Sequence, residues 1–333
     1  MRPVLLPPNG VPRFYRGGPA ITALRGVRFE GDRVPEEWIG STAEVFGEPG
    51  LGLSRLPGGE LLRDAIRGAP EEFLGPAHVA RFGPDPALLV KLLDAGERLA
   101  VHVHPDGAFA AEHLGTRFGK TEAWIVVGAA RPDAAVYAGW REDIDAETLA
   151  GWVRDQDRDA MMSALNRVPV GAGDAIFVPA GLPHAIGDGL LIVELQEPTD
   201  MSVMLEWKGF PIAGEAEATL GMGWPTALGC VELHARDMDE LRGPEAQGSV
   251  APLLPAAADP FFRADRLTGD AQLVQGFAVL VVLDGEGELV PDGGDPLPLH
   301  RGDAVLIPWA AGPARLHGDV VAIACRPPEQ EVA

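Results

Sequence analysis

The chain has 333 residues, 46% of them hydrophobic, and a formal net charge of −22. That length buries one large core or two ordinary ones, and so acidic a surface argues against nucleic acid or an anionic membrane as a partner. No apolar run reaches the roughly 18 residues of a membrane helix, and the Pro-broken residues 1–8 do not read as a secretory signal, so a cytoplasmic location is expected.

Residues 1–57, rich in Gly and Pro, read as irregular edge strands and loops. A helix is expected over 59–69, where Leu61, Leu62, Ala65 and Ile66 share a face, and a second short one over 70–73. An apolar strand over 87–93 is interrupted by Lys91, and strands follow at 100–104 and 121–127. Residues 143–166 read as one helical segment, with Leu149, Trp152, Val153, Met161 and Leu165 at helical spacing as core. Strands are expected at 175–178, 190–196 and 201–206. Pro and Gly thicken over 208–226, which suits a domain connection. From 232 the pattern becomes short strands and turns, with strands at 277–283, 288–291, 304–308 and 320–325. Two domains are therefore expected, 1–231 and 232–333. Cys230 and Cys325 sit far apart in apolar company and read as small hydrophobes rather than a disulfide.

The chemistry concentrates in four residues. Alternate residues of a strand face the same side, so His102 and His104 project into one space. Glu122 stands on the next strand, and His184 closes the run Gly173-x5-Pro179-x-Gly181-x2-His184. Three imidazoles and a carboxylate suit a divalent transition metal. His-x-His alone is a weak signal; joined to the Glu and the Gly-Pro-Gly-His run it is a strong one. The two segments resemble the signatures of the cupin superfamily, whose jelly roll carries its metal inside the barrel. Gly302-x5-Pro308 repeats the Gly173–Pro179 spacing without the closing His, and no His-x-His precedes it. The fold expected is mainly β: a bicupin of two jelly rolls with a small helical insertion at 143–166, the first loaded with metal and the second without. The other histidines, at 78, 113, 234, 300 and 317, read as surface or loop residues.

Beyond the superfamily, the chain resembles the type I mannose-6-phosphate isomerases. The matching segments are Leu88-Leu89-Val90-Lys91-Leu92-Leu93-Asp94-Ala95, Val101-His102-Val103-His104-Pro105-Asp106 and Gly119-Lys120-Thr121-Glu122-Ala123-Trp124. They continue as Val168-Pro169-Val170, Gly173-Asp174, Val178-Pro179-Ala180-Gly181, His184-Ala185-Ile186-Gly187 and Glu194-Leu195-Gln196, with Gly285-Glu286-Gly287 and Arg301-Gly302-Asp303 in the second unit. The resemblance implies a zinc enzyme that interconverts mannose 6-phosphate and fructose 6-phosphate through an enediol. Its zinc ligands, Gln, His, Glu and His, fall on His102, His104, Glu122 and His184, so a His replaces the usual Gln. Ala100 stands at a usual Ser, and Met204 at a usual Arg ten residues after the catalytic Glu.

Aldose–ketose isomerisation needs a proton-transfer base, and Glu194, on the strand after the His184 loop and at the family's catalytic Glu, is the candidate. Lys120 lies two residues before Glu122, on the same face, and can orient or protonate a substrate oxygen. Only three of the 27 basic residues are lysines, at 91, 120 and 208. A buried Lys91 needs an anion, either a phosphate or an internal carboxylate such as Asp94 or Glu97. Lys208 is the nearest cation in sequence to Met204. The three lysines are expected to supply the positive potential for a sugar phosphate, with Lys91 and Lys208 binding substrate. The residues leave other readings open: an isomerase of another sugar phosphate or of a free sugar, an iron cupin dioxygenase, or a sugar-binding cupin without turnover.

Overall fold

In the computed structural model, which describes residues 1–328, ten strands precede residue 231. They are β1 (Val4–Leu5), β2 (Gly10–Val11), β3 (Glu36–Ile39), β4 (Leu89–Asp94), β5 (Glu122–Ala129), β6 (Ala135–Trp140), β7 (Leu165–Pro169), β8 (Ala175–Val178), β9 (His184–Ile186) and β10 (Leu190–Gln196). Seven follow it: β11 (Val250–Pro252), β12 (Arg263–Thr268), β13 (Gln272–Leu273), β14 (Ala278–Pro291), β15 (Leu297–His300), β16 (Ala304–Ile307) and β17 (Ala314–Arg326). The mainly β architecture is the one expected.

Six strands form one sheet in the order β2-β3-β4-β10-β5-β8, and β7-β6-β9 form a smaller one. The third sheet runs β1-β16-β14-β17-β12-β11, with β13 on β17 and β15 on β14. The two large sheets share a core order. Numbering β4, β5, β8 and β10 as one to four, they lie 1-4-2-3; β12, β14, β16 and β17 lie in that same order. The paired Gly-x5-Pro runs fall at equivalent places. Gly173 and Gly302 both take a left-handed conformation (φ 96° and 91°), and each leads two residues later into the third strand of its set. Between the third and fourth strands of the first set the chain forms β9, with His184, which joins the smaller sheet; between those of the second it makes only a short 3-10 turn, Trp309–Ala311. A metal ligand is thus missing from the second unit because the element that would carry it is missing.

β4 and β10 read as nearly unbroken apolar runs because both of their faces are covered. Val90, Leu92, Val193 and Leu195 join Val279, Val281, Ile323 and Cys325 of the other large sheet in one continuous core. Lys91 and Glu194 point the opposite way. Register places Trp38, Lys91, Glu194 and Trp124 in one row across β3, β4, β10 and β5.

Helices α1 (Ala20–Arg25), α2 (Leu62–Gly68), α3 (Pro70–Leu74), α4 (Pro76–Phe82) and α5 (Gly107–His113) decorate the first unit. α2 and α3 are the expected pair; α4 was not expected. The single helix read over 143–166 is two, α6 (Ala146–Asp155) and α7 (Arg158–Ala164). Gln156 breaks it in a left-handed conformation (φ 55°). Its amide donates to the carbonyls of Val153 and Leu205, and its oxygen accepts from the backbone of Trp207 and Lys208. Asp157 then caps α7 by accepting from the Ala160 amide.

Other expectations are corrected in detail. Segments 100–104 and 201–206 form no ladder, only isolated bridges from His102 to His184 and from Val103 to Val203. The strands read at 277–283 and 288–291 are one, β14. β1 pairs with β16, so residues ascribed to the first unit extend the sheet of the second. His78 is fully buried, its Nε2 2.7 Å from the Asp85 carbonyl, rather than at the surface. Both cysteines are free. Among the described residues no helix is long and apolar enough to cross a membrane.

Candidate active site

The site is assembled where three chain segments cross the inner face of the six-stranded sheet. His102 and His184 exchange backbone hydrogen bonds of 2.9 Å in both directions, which fixes the two imidazoles against each other. Val103 does the same with Val203, holding His104 beside them. Glu122 opens β5, and Trp124 Nε1 donates to its Oε1 at 3.0 Å.

Each histidine presents Nδ1 to a backbone carbonyl: Ala100 for His102, Met201 for His104 and Leu182 for His184, at 2.7–2.8 Å. A carbonyl can only accept, so the ring proton belongs on Nδ1 and each Nε2 offers a lone pair. Those lone pairs converge. His102 Nε2 lies 2.9 Å from His184 Nε2, and the Glu122 carboxylate lies 3.1 Å from His104 Nε2 and 3.3 Å from His184 Nε2. Burial pushes all three imidazoles below their usual range, His104 to about 3 with the Lys120 charge adding to the effect. Neutral acceptors facing one another can be reconciled by a shared cation, and a His3Glu set with backbone-oriented rings has the chemistry of a divalent transition-metal site. Among the described residues, His102, His104 and His184 are the one group of three or more potential ligands drawn together. Lys120 already brings positive charge there, its Nζ 2.7 Å from His104 Nε2 and 2.9 Å from Glu122 Oε2. Glu122 is held well below the carboxylate range: burial alone would raise it, and the Lys120 ammonium outweighs that.

Beside this cluster lies a small chamber of about 30 Å³ that takes in His102, Lys120, Glu122, Lys91 and Glu194. It suits an ion or one ligand oxygen, not a whole sugar. A larger cavity of about 540 Å³ adjoins it, within the usual range of small-molecule sites. Arg13, Phe14, Asp200 and Ser202 line both and form the throat between them. Met204, on the wall of the larger cavity, packs with Ala100 and Ala218. The departures at Ala100 and Met204 are therefore one feature, an apolar patch.

Glu194 is 3% exposed and stands 3.2 Å from the Lys91 ammonium. That contact lacks hydrogen-bond geometry, so Oε1 is left open. Burial pushes Glu194 up to about 7, although Lys91 pulls it down. Lys91 meets Glu36 at 3.5 Å and Asp200 at 3.8 Å as well. Burial alone would lower its proton affinity; the three carboxylates hold it above the ordinary lysine range. Its anions are thus Glu194, Glu36 and Asp200, not Asp94 or Glu97. Asp94 accepts from the amides of Ala20 and Ile21, and Glu97 from that of Arg16.

The three lysines do not converge. Lys91 and Lys120 line the small chamber, whereas Lys208 is exposed, its Nζ 5.8 Å over the Trp207 ring and outside the lining of both cavities. The cation that stands in the throat is Arg13, which the sequence reading missed. Lys91→Met is accordingly expected to destabilise the fold by roughly 3–5 kcal/mol, because it leaves buried carboxylates unpaired. Lys208→Met should stay within about 0.5 kcal/mol of wild type. Urea unfolding midpoints check the pair, and equal effects would contradict this account.

A buried cluster of three imidazoles and a carboxylate, set in a twice-repeated antiparallel sheet motif, gives a cupin-like fold with a candidate metal site. No protein-family model matches the chain. It is 36% identical over 171 residues to the mannose-6-phosphate isomerase of Streptococcus mutans, a match covering 50% of each chain. It is 28% identical over 237 residues to mannose-6-phosphate isomerase ManA of Bacillus subtilis, covering 69% of this chain and 72% of that one. Among solved structures, the mannose 6-phosphate isomerase from Bacillus subtilis superposes with a TM-score of 0.79 at 22% identity, over 98% of this chain and 100% of the other. A mannose 6-phosphate isomerase bound with zinc and yttrium gives 0.76 at 18%, over 99% and 100%. The chain is related to the mannose-6-phosphate isomerases and has their fold, as the resemblance of its motifs implied. The match to the Streptococcus relative spans half of that protein's length.

Proposed function

We propose that this protein is a zinc-dependent aldose–ketose isomerase that interconverts mannose 6-phosphate and fructose 6-phosphate. The observation that carries the reading is the meeting of a His3Glu cluster suited to a metal with a buried carboxylate, Glu194, whose Oε1 has no hydrogen-bond donor, in one chamber. The named activity of the relatives supplies the substrate pair, and the zinc-bound neighbour supplies the metal. His102, His104, Glu122 and His184 would hold the ion, which, when bound, supplies a Lewis acid or template for the substrate's oxygens.

The rest falls to the side chains. Glu194 takes a proton from the carbon next to the carbonyl and returns it to the neighbouring carbon, so that an enediol lies between aldose and ketose. Its elevated proton affinity matches it to neutral pH. Lys120 donates a hydrogen bond to a substrate oxygen and orients it for proton exchange. Through the throat of Arg13, Phe14, Asp200 and Ser202 a substrate oxygen would reach the chamber while the sugar itself occupies the larger cavity. The second unit, in this reading, is a jelly roll of the same descent that lends packing rather than ligands.

One observation favours a second reading, an isomerase of an unphosphorylated sugar. Arg13, Lys91 and Lys120, cations lining the two cavities, are each paired with carboxylates, and Ala100 with Met204 makes the adjoining wall apolar. Assay of the zinc-loaded protein decides between them. Mannose 6-phosphate should give the higher kcat/KM; a preference for free mannose would establish the second reading, and activity on neither would overturn both.

A further inference from the structure

The throat holds a charge pair that proton transfer at the reacting carbons does not use. Among the described residues, Arg13 is the one lysine or arginine on the wall of the larger cavity, and it lines the small chamber too. Its guanidinium forks onto Asp200, NH1 donating to Oδ2 at 2.8 Å and NH2 to Oδ1 at 3.1 Å. That fork spends two of the five N–H donors of an arginine. A third, on Nε, lies 3.3 Å from Glu36 but makes no hydrogen bond. Asp200 in turn keeps about half of the roughly four acceptor positions of a carboxylate, with the Lys91 ammonium 3.8 Å away. Neither side chain is free to wander. That of Arg13 is 13% exposed and that of Asp200 3%, and the Arg13 amide donates to the Arg33 carbonyl at 2.9 Å.

We infer that Arg13, with Asp200 behind it, is a substrate-binding residue that reads the sugar's hydroxyls beyond the reacting carbons. The guanidinium donates to one hydroxyl oxygen, and the Asp200 carboxylate accepts from the hydroxyl next to it. A hydroxyl both donates and accepts, so two neighbouring ones match a donor and an acceptor held side by side. The same pairing argues against Arg13 as a phosphate anchor. Its charge is answered by Asp200 in the fork and by Glu36 at 3.3 Å, and the other ionisable residues on the wall of the larger cavity are Glu48 and Glu217. A phosphate dianion set against that wall meets more negative charge than positive. A polyol meets no such penalty. A missing hydroxyl is detected sharply, because its absence leaves desolvated charged groups without the partner they need. The clamp is thus indifferent to the phosphate and serves the sugar with or without one.

The role assigned to Arg13 rests on the isomerase reading, so one readout depends on turnover and one does not. Zinc-loaded wild type, Arg13→Gln, Arg13→Lys and Asp200→Asn are titrated by calorimetry with mannitol, mannitol 6-phosphate and their 3-deoxy and 4-deoxy forms, none of which has a carbonyl to isomerise. The same proteins are assayed for kcat/KM with mannose 6-phosphate and with mannose. Removal of at least one of the two hydroxyls should weaken binding to wild type about ten- to a hundredfold, as loss of a hydrogen bond to a charged group does. In Arg13→Gln and Asp200→Asn the same removal should cost no more than about threefold, since the partner is already gone. Arg13→Gln should lower kcat/KM while leaving the ratio between the two sugars within about threefold of wild type. A wild type indifferent to both deletions, or a penalty unchanged in Arg13→Gln, would overturn the assignment. So would a collapse of the preference for mannose 6-phosphate, which would make Arg13 a phosphate anchor after all. If Arg13→Gln does not fold, Arg13→Lys, which keeps the charge and loses the fork, decides together with Asp200→Asn. A wild type that turns over neither sugar removes the isomerase reading, while hexitol binding still tests the clamp; binding of neither hexitol overturns it.

Discussion

His184→Ala is expected to abolish both metal binding and turnover. His184 supplies one of the three converging Nε2 atoms, and its ring is held by the Leu182 carbonyl and by the backbone exchange with His102. Alanine leaves an incomplete set of two imidazoles and a carboxylate, open on one side. An ion that stabilises developing charge on oxygen by about 4 kcal/mol or more is worth on the order of a thousandfold in rate, so activity should fall by at least that factor. The metal-free fold should survive, because the substitution removes one of two lone pairs that face each other at 2.9 Å. Elemental analysis of freshly purified protein, with far-UV circular dichroism as the folding control, checks the result. A variant that keeps one zinc per chain and full turnover would refute the ligand assignment.

Glu194→Gln is the complementary case: metal kept, chemistry lost. The amide matches the carboxylate in shape but cannot accept a proton, and removal of a positioned base costs roughly 10²–10⁴ in kcat. Zinc content should match wild type, since Glu194 provides none of the converging ligand atoms. The sign of the wild-type pH dependence follows from the same residue. A base must be unprotonated to act, and burial pushes Glu194 up to about 7, so kcat/KM should rise as pH increases through neutrality and fall below it. In Glu194→Gln that acid limb should vanish from the residual rate. A variant with near-wild-type kcat would assign the proton transfer elsewhere.

The metal cluster was legible in the sequence because its determinants are local. Strand alternation sets His102 beside His104, and the Gly-Pro-Gly run fixes the turn that delivers His184. Glu194 was legible for a similar reason, as the lone acid in an apolar strand following that turn. Arg13, Glu36 and Asp200 were not, since they meet only after β3 has paired with β4 and the N-terminal segment has folded across the throat. An arginine in a chain whose basic residues are nearly all arginines carries no mark of its own. A signal existed at Glu36 and Trp38, which alternate onto one face of β3 and so could have been read as a polar pair directed inward. Lys208 misled because closeness in sequence to Met204 stood in for closeness in space. The break at Gln156 was invisible because, the Val153 carbonyl apart, the groups that hold its side chain, Leu205 and the 207–208 backbone, come from a segment some fifty positions away.

The two-residue strand β1 has a consequence out of proportion to its length. β16, Ala-Val-Leu-Ile, is short, uncharged and buried throughout, and its flank opposite β14 is occupied by Val4 and Leu5. Stripped of that cover, β16 would present open amides and carbonyls on an apolar strand, the type of edge that recruits a strand from another molecule. The first residues of the chain therefore act as a guard against self-association, and their removal is a route to aggregation that leaves every residue of the metal cluster in place.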